Sequence, residues 1–590
     1  MSVTTRDRVQ LSPISAAERD RQVRQAEELL FSGPETSGFV KALFRGEFRG
    51  EALFPYPTPR PEADEAVAAV QRFADEQIDA AAIDREADIP RTVIRGLADL
   101  GVLGMTAPAE FGGRGFSQAA YCRVMEVLGG HCASTAVFVN AHHSIGIRAL
   151  ILFGTAAQKA RWLPPLARGE TLGAFALTET EAGSDASNVQ TTATPSADGR
   201  TFLLEGSKRY ITNGGIADVL TVMAKTPDPN GGEAKVSAFL VTPELPGFEV
   251  VEARMPKCGI RGTATARLAF HGVPVPSENL LGPMGKGLRV ALTVLDFGRT
   301  TFGASCTGAA KACLALATRH AAHRRQFGRP LASLDLVRKK LGTMAASAYA
   351  MEATTYETAA LIDRGADDYM LETAILKVFA TEALWESVYE ALQVYGGQGY
   401  FTDEPLERWM RDARINTIGE GANEVLKAFI ALVGMRDVGQ GFKATLEGLK
   451  RPSRTLPTLW RFGREHAGRL LRRPVVPVVS PSLRGEAAAL SRRVARFSWA
   501  VERALVRHRE AILEAQLVQE RIADAAIALF TAACTLARLD REPESDPAAG
   551  LLYLATAWRR FDRAMAGLDR NDDPRTIRAA ESALAAFGGR

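Results

Sequence analysis

The sequence has few cysteines and no long apolar run. Its six cysteines, among 590 residues, form no CxxC pair and no His/Cys spacing typical of a metal site. We therefore predict buried free thiols, a reducing compartment and no bound metal. No stretch of 18 apolar residues occurs, so we predict that nothing spans a membrane. The N-terminus mixes acids with arginines and lacks an apolar core, so we expect neither a secretory signal nor a transit peptide.

Several common catalytic motifs are absent as well. No GxGxxG follows a predicted strand and no GxxxxGK[ST] occurs, which excludes a Rossmann-type dinucleotide site and P-loop chemistry. GxSxG and HExxH are also missing. The net charge is only +4, and opposite charges are interspersed over most of the chain, so no nucleic-acid partner is expected.

The hydrophobic periodicity changes along the chain and predicts an α+β protein that is mostly helical. Apolar residues recur at three and four before and after a central region, whose segments TFLLEG, VLTVMA, VSAFLV, FEVVEA and ATARLAF predict an antiparallel β-domain. The predicted units are an N-terminal arm, a helical domain, the β-domain, a four-helix bundle, a basic linker and a helical extension, at 1–60, 61–170, 171–280, 281–436, 437–480 and 481–590.

Two clusters of small and polar residues flank the start of the β-domain. FALTETEAGSDASN offers the hydroxyls of Thr178 and Ser184, which suit a planar ring and a phosphate, or form an ordinary turn. KRYITNGG places Tyr210 and Thr212 on one side of a strand. Tyr210 would lie beside a flavin-like ring, or it would be a half-buried aromatic residue of a barrel.

Four further clusters follow in the bundle. Asp296 and Arg299 share a face at the start of its first helix, where they bind a polar ligand or pair with each other. Arg324 lies at a helix C-terminus, which is a favourable place for a cation. QVYGGQGY contains three glycines in a tight turn, and NTIGEGANEV places Glu420 between two glycines. Glu420 is either a helix N-terminal acid or a catalytic base, and both roles are compatible.

These six clusters, in this order and spacing, resemble the acyl-CoA dehydrogenase family. TETEAGSD is a version of its T-E-x-x-[GA]-G-S-D loop, and QVYGGQG is its Q-x-x-G-G-x-G motif. Gln393 precedes Glu420 by the 27 residues typical of the family. The resemblance is continuous over about residues 60–436. FRGEFRGEALFPYP, LFGTAAQKARWLPPLARGET and the C-terminal extension resemble its very-long-chain branch.

The resemblance implies an FAD cofactor between the β-domain and the bundle. The implied cofactor contacts are Phe175, Leu177, Thr178, Gly183, Ser184, Tyr210, Ile211, Thr212, Arg324, Phe327, Gln393, Gly397, Ala422 and Glu424. The implied substrate contacts are Ser184, Asp296, Arg299 and Gly421. Gln393 and Gly397 match positions that reach a neighbouring subunit's cofactor. Some relatives carry the base just before the residue matching Arg299, but here Gly298 stands there, so Glu420 is the implied catalytic base.

The resemblance also implies a reaction, which is the α,β-dehydrogenation of a long-chain or very-long-chain fatty acyl-CoA to trans-2-enoyl-CoA in fatty acid β-oxidation. Glu420 would take the α-proton, flavin N5 would take the hydride, and an electron-transfer flavoprotein would be the acceptor. The alternatives are an acyl-CoA oxidase and a flavin-retaining binding or assembly protein. Tyr210 stands where tryptophan is common, Ala422 where threonine is common, and Asp296 matches shorter-chain relatives better, so the acyl length stays open.

The C-terminal region raises two further expectations. The extension predicts a homodimer, because in the family it occupies the place of a second dimer. Residues 440–480 mix Leu459, Trp460 and Phe462 with many arginines, which suits either an anionic membrane surface or a solvated linker. The expected location is cytoplasmic, at the inner face of the membrane in the first of these alternatives.

Overall fold

The computed structural model describes residues 38–58, 61–228, 231–449, 473–544 and 546–588. The helices are α1 Phe39–Phe44, α2 Asp64–Gln77, α3 Ala80–Glu86, α4 Arg91–Asp99, α5 Gln118–His131, α6 Ala133–Val139, a π-helix Asn140–Ile147, α7 Arg148–Phe153, α8 Ala156–Ala167, α9 Gly287–His323, α10 Asp335–Asp363, α11 Met370–Tyr395, α12 Gly397–Tyr400, α13 Leu406–Arg414, α14 Asn423–Leu449, α15 Arg484–His508, α16 Gln516–Arg541, α17 Pro547–Asp569 and α18 Asp573–Phe587. The strands are β1 Gly173–Ala176, β2 Thr192–Pro195, β3 Thr201–Ile211, β4 Val219–Thr226, β5 Lys235–Val241, β6 Phe248–Glu252, β7 Ala266–Pro276, β8 Leu280–Leu281, β9 Arg325–Gln326 and β10 Arg329–Pro330.

The N-terminal helical domain packs around its own apolar core. Local signals define its helices: Ser117 caps α5, and Thr155 with Gln158 forms a capping box at the start of α8. The window Ala133–Phe153, which contains the π-helix, is apolar and long enough to cross a membrane, as is Gln516–Arg541 in the extension. Their apolar windows are 72% and 94% buried inside the protein, as expected for core helices.

The β-domain is an eight-stranded sheet in the order β6-β7-β3-β2-β4-β5-β8, with β1 paired to β4. All five predicted segments form strands, and most neighbours are antiparallel, as predicted. The sequence did not predict β1, β2 and β8, which are four, four and two residues long. β1 pairs with β4 in parallel, and so does one residue of β2, so the sheet is mixed around β4.

The bundle consists mainly of α9, α10, α11 and α14, and the extension packs directly against it. One apolar core contains residues of both, together with α1. The ring of Phe44 in α1 lies 4.8 Å from that of Phe497 in α15, and Phe379 in α11 lies 5.6 Å from Tyr553 in α17. The extension therefore completes the bundle's core, since its apolar faces cover what a four-helix bundle would expose.

A network of ion pairs also joins the domains. Lys311 of α9 bonds Glu126 of α5 at 2.6 Å and Glu352 of α10 at 2.7 Å. Arg538 of the extension bonds the same Glu352 at 2.6 Å and Glu542 at 3.0 Å. Because Glu352 is shared, the helical domain, the bundle and the extension are linked through one acid.

Two features differ from the predictions, and a third predicted segment lies outside the described residues. Cys258 is exposed, whereas the other five cysteines are buried as predicted, because it lies in a loop after β6 rather than in a helix. α14 continues to Leu449, past residue 436 where the bundle was predicted to end. The aromatic residues of the predicted membrane-surface segment, Trp460 and Phe462, lie outside the described residues.

Candidate active site

Glu420 lies in the turn between α13 and α14. Its φ angle is 56°, in the left-handed region that non-glycine residues rarely adopt, and Gly421 follows with φ 99°. α14 begins only at Asn423, so Glu420 stands before the helix rather than in its first turn. Strained backbone of this kind occurs often at functional sites, where the surrounding structure maintains it.

The two oxygens of the Glu420 carboxylate have different surroundings. Oε1 accepts a hydrogen bond of 2.8 Å from Asn140 Nδ2 of the π-helix. Oε2 is buried and has no hydrogen-bond partner among the described residues. Gly298 lies beside it, and a Cβ at that position would be 3.1 Å from Oε2. One oxygen is thus held, and the other is available to a ligand.

Burial dominates the ionisation of Glu420. Removal from water raises the pKa of its carboxyl from 4.5 to about 7, although the charges of Lys377 and Arg299 and the hydrogen bond from Asn140 act in the opposite direction. A carboxyl group with this pKa is half-ionised near neutral pH, and it is a stronger base than an exposed glutamate.

Lys377 of α11 holds the backbone next to Glu420. Its Nζ donates to Gly421 O at 2.7 Å and to Asn423 Oδ1 at 2.9 Å. Burial lowers the pKa of Lys377 to about 8, while the charge of Glu420 favours the protonated amine. This lysine fixes the turn from the bundle side.

Asp296 and Arg299 pair with each other, which is one of the two predicted alternatives. Arg299 Nη1 donates to Asp296 Oδ1 at 3.0 Å, and Thr373 of α11 donates to the same oxygen at 2.9 Å. Both residues lie inside α9, about ten residues after its start, and not at its beginning as predicted. Arg299 Nε is buried without a partner in the described part of the chain, so the pair keeps a donor available.

The predicted flavin contacts of the β-domain come together at the ends of β1 and β3. Arg209 N donates to Thr178 O at 2.9 Å, which joins the loop after β1 to the end of β3. Tyr210 has φ 62° and is 57% exposed, so it is not the half-buried barrel residue of the second alternative. The register of β3 against β7 shifts between Lys208 and Ile211, which turns the tyrosine outward.

A buried ion pair holds the loop after β1 against β3. Lys208 Nζ donates to Glu179 Oε1 at 2.6 Å and to Leu177 O at 3.0 Å. The other Glu179 oxygen accepts from Gln190 N, and Thr191 also donates to the carboxylate. Burial lowers the pKa of Lys208 to about 8 against the favourable charge of Glu179. The remaining members of the predicted set lie on or beside this support: Phe175 in β1, Gly183 and Ser184 in the exposed loop, and Ile211 and Thr212 at the end of β3.

A second predicted group lies at the opposite ends of the bundle helices. Arg324 follows Arg299 by 25 residues, which is about 37 Å along α9. The ring of His320, one turn before Arg324, stacks on Tyr395 at 3.9 Å, so this end of α9 meets the turn containing Gln393 and Gly397. Phe327 is 89% exposed, and no atom lies within 4 Å of a Cβ built at Gly397.

These residues fit FAD. The exposed Tyr210 and the loop hydroxyls suit a planar ring and its polar chain. Arg324 at the helix end and the open glycines of the α11–α12 turn suit a diphosphate and its adenosine. Ala422 and Glu424 flank Asn423 at the start of α14. Within the described ranges, no group of three or more His, Cys, Asp or Glu side chains is arranged to hold a metal.

An apolar cleft lies close to the Glu420 turn. Asn416, four residues before Glu420, lines it and approaches Cys306 Sγ at 3.7 Å. Its other lining residues come from α5, α6, α9, α11 and α13: Gly129, Ala133, Ala136, Val137, Phe302, Ser305, Ala309, Leu384, Val388, Trp409, Asp412 and Ala413. The lining is mostly hydrocarbon, which suits an aliphatic chain.

Sequence reasoning missed two residues of this site. Lys377 is a single charge in the apolar run AILKVFA, and a lone lysine there could have indicated a specific partner. Asn140 carried no such signal, because VNAHHS is compatible with many buried helices. Its contact with Glu420 joins residues 280 positions apart.

Comparison with known proteins identifies the class. Family models described as the acyl-CoA dehydrogenase N-terminal, middle and C-terminal domains match residues 60–170, 174–273 and 285–434, and a model of the ACAD9/ACADV C-terminal domain matches 481–559. The chain belongs to the acyl-CoA dehydrogenase family. Membership confirms the predicted fold, an oxidoreductase activity and FAD as the cofactor.

Individual relatives and solved structures within the family are also similar to this chain. The chain is 37% identical to the human mitochondrial very long-chain specific acyl-CoA dehydrogenase over 535 residues, which are 87% of this chain and 81% of that protein. An acyl-CoA dehydrogenase from Bacillus anthracis, solved in complex with FAD, aligns with TM-score 0.77 at 26% identity over 92% of this chain and 94% of that one. Butyryl-CoA dehydrogenase from Megasphaera elsdenii aligns with TM-score 0.60 at 35% identity over 63% and 97%.

Proposed function

We propose that the protein converts a long-chain or very-long-chain fatty acyl-CoA to the trans-2-enoyl-CoA, with Glu420 as the base. One observation carries this proposal: a buried carboxylate whose Oε2 has no partner among the described residues, beside an apolar cleft. FAD, when bound, supplies flavin N5 as the acceptor of the β-hydride. Glu420 takes the α-proton of the thioester, and its pKa of about 7 supports that role near neutral pH.

The surrounding side chains would do three things. The Asp296–Arg299 pair and Ser184 would bind the CoA portion of the thioester, and Gly421 would let the backbone approach it closely. Lys377 would keep the turn in place when the proton moves. The apolar cleft would hold the acyl tail and exclude water from the reacting carbons.

Flavin bleaching tests the reaction. The purified yellow protein is mixed anaerobically with butanoyl-, octanoyl- and palmitoyl-CoA, beside the variant Glu420→Gln. We expect the parent to bleach with the longer thioesters and the variant to bleach at least a thousandfold more slowly. If the variant were reduced as fast as the parent, Glu420 would not be the base. If no thioester bleached the parent, the enzyme proposal would fall in favour of a binding or assembly role.

Filling the cleft tests the place of the acyl tail. Ala136→Leu would occupy space in the cleft. We expect this variant to lose rate with palmitoyl-CoA while the rate with butanoyl-CoA stays close to that of the parent. Ala68→Leu, at an exposed position of α2 in the same helical domain, is the control that should change neither rate. An equal loss with both thioesters would remove the cleft from the proposal.

The electron acceptor and the assembly are also proposals. We infer that an electron-transfer flavoprotein reoxidises the reduced enzyme and that the active form is a homodimer. The exposed Phe327, Tyr400 and Phe401 near Gln393 support a subunit contact at this end of the bundle. Reoxidation by air at a rate matching turnover would indicate an oxidase instead, and a monomer in sedimentation equilibrium would contradict the dimer.

A further inference from the structure

A chain of buried polar contacts leads from Glu420 into the helical domain. Asn140 Nδ2 donates to Glu420 Oε1, and Asn140 Oδ1 accepts from Thr301 Oγ1 of α9 at 2.5 Å. Thr301 Oγ1 lies 2.9 Å from Ser144 Oγ, which lies 3.2 Å from the Tyr121 hydroxyl. Asn140 and Ser144 belong to the π-helix, a rare form that is frequent at functional sites.

Thr301 helps to hold the Asn140 amide with its NH₂ toward the carboxylate, because its hydroxyl donates to Asn140 Oδ1. Asn140 Oδ1, at 2.5 Å, is the nearest of the four oxygens around the Thr301 hydroxyl, since Ser144 Oγ, Gly298 O and Phe297 O lie at 2.9, 3.1 and 3.3 Å. The opposite orientation would place the amide oxygen against Glu420 Oε1, and two acceptors would then face each other. An ionised Glu420 therefore requires the observed orientation, with the amide NH₂ toward the acid.

This arrangement makes the two carboxylate oxygens unequal. Oε1 is occupied by Asn140, whereas Oε2 faces Gly298 and has no partner among the residues that the structure describes. Asn140 also follows Val137, a lining residue of the apolar cleft, by three positions. The amide thus stands one helical turn from the cleft, on the wall that leads to the acid.

We propose that Asn140, oriented by Thr301, is a positioning residue that holds Oε1 of Glu420 and leaves Oε2 as the atom that receives the α-proton. This inference rests on the proposed role of Glu420 as the base. It adds a specific atom to that role and assigns a function to a side chain of the helical domain. Without the amide, the carboxylate would be free to rotate, and both oxygens would share the proton-accepting position.

The charges around Glu420 define what the amide contributes. The charges of Lys377 on α11 and Arg299 on α9 favour the ionised form of Glu420. The thiol of Cys306 on α9 also interacts with Glu420, and burial raises the pKa of this thiol to about 12, so it is neutral. Asn140 is neutral, so its effect is that of a donor to the charged form. Loss of this donor should raise the pKa of Glu420 and leave less of the base ionised at neutral pH.

Three variants of the FAD-loaded enzyme test the proposal. Asn140→Leu keeps a similar volume but removes the donor, and Thr301→Val removes the hydroxyl that orients the amide. Thr307→Val is the matched control, because this buried threonine of α9 lies six residues after Thr301 and contacts Gly303 O and Thr355 instead of Asn140. Infrared difference titration of the substrate-free enzyme measures the pKa of Glu420 from its carboxyl band. The band is assigned to Glu420 because it should be absent in Glu420→Gln. Anaerobic stopped-flow flavin reduction gives the pH profile of the chemical step.

We expect Asn140→Leu to raise the pKa in both measurements by about one unit, since a hydrogen bond to a charged group is of that size. At high pH, where the base is fully ionised, its reduction rate should still fall on the order of tenfold from lost orientation. Thr301→Val should shift the pKa in the same direction by less, and Thr307→Val should not shift it.

Unchanged infrared and kinetic pKa values in a folded, yellow Asn140→Leu enzyme would overturn the proposal. If Asn140→Leu did not fold, Thr301→Val decides, because an unchanged profile there would also overturn it. Failure of the base assignment itself is seen separately, as unimpaired flavin reduction by Glu420→Gln.

Discussion

Burial of the Glu420 carboxyl predicts that Glu420→Gln makes the protein more stable, and only above acidic pH. In the folded protein the pKa is about 7, against 4.5 for an ordinary glutamate. Below pH 4.5 both the folded and unfolded states hold the proton, and the acid resembles glutamine. Between these values the unfolded chain releases the proton and the folded one keeps it, so the free energy of unfolding falls as pH rises.

The size of the effect follows from the difference in pKa. Each unit corresponds to 1.36 kcal/mol, so the ionised acid destabilises the fold by about 3 kcal/mol once the pH exceeds 7. Glutamine avoids this loss because it stays neutral, and its oxygen can still accept from Asn140. With an unfolding entropy of about 2.1 cal/mol/K per residue, a 590-residue chain that unfolds as one unit should gain about 2 °C in Tm.

Differential scanning calorimetry of parent and variant, both saturated with FAD, tests this prediction at about pH 5 and about pH 8. The variant should melt higher at pH 8 and within about 1 °C of the parent at pH 5. Asp403→Asn, in an exposed turn, is the control that should shift neither melting temperature. Equal melting temperatures at pH 8 would mean that the carboxyl is not desolvated in the folded protein, and the reasoning about its pKa would be refuted.

Three further predictions follow from other contacts. Lys208→Met should weaken FAD binding at least tenfold in a flavin fluorescence titration, because Glu179 is left buried without its cation; unchanged affinity would separate this pair from the flavin loop. Gly298→Ala should slow flavin reduction on the order of tenfold with FAD content unchanged, because its methyl would lie 3.1 Å from Glu420 Oε2; a parental rate in stopped flow would contradict it. Arg538→Met should lower the free energy of unfolding by about 3 kcal/mol, because the buried Glu352 loses a partner. Limited proteolysis of this variant should then release the C-terminal extension first. An extension that stays intact would argue against the ion-pair link.

Local patterns were sufficient for much of the fold. The alternation in TFLLEG predicted β3, because one face of that strand is buried and the side-chain period of a strand is two. The apolar run VSAFLV predicted β5, which is buried on both faces. The short strands β1, β2 and β8 were missed, since two to four residues carry too little periodicity. Their pairing depends on longer strands, since β1 and β2 pair in parallel with β4 and β8 pairs with β5.

The candidate site was also predictable in part, where it depends on local sequence. Glu420 could be proposed because its flanking glycines and its spacing from Gln393 are properties of the chain. The exposure of Tyr210 could not be read from alternation, because a shift in the register of β3 against β7 turns it outward. The exposed thiol of Cys258 was missed because a lone cysteine carries no signal of its surroundings.

The sequence by itself therefore determined the order of the domains and the family, and it singled out Glu420 as the candidate acid, because these depend on residue type and spacing. Only the tertiary structure decided what that acid can do. Asn140, Gly298 and Lys377 come from three different helices, and their approach removes Glu420 from water, holds Oε1 and leaves Oε2 without a partner in the described structure. Desolvation and hydrogen bonding depend on distances of a few ångströms between distant parts of the chain, and packing alone sets those distances.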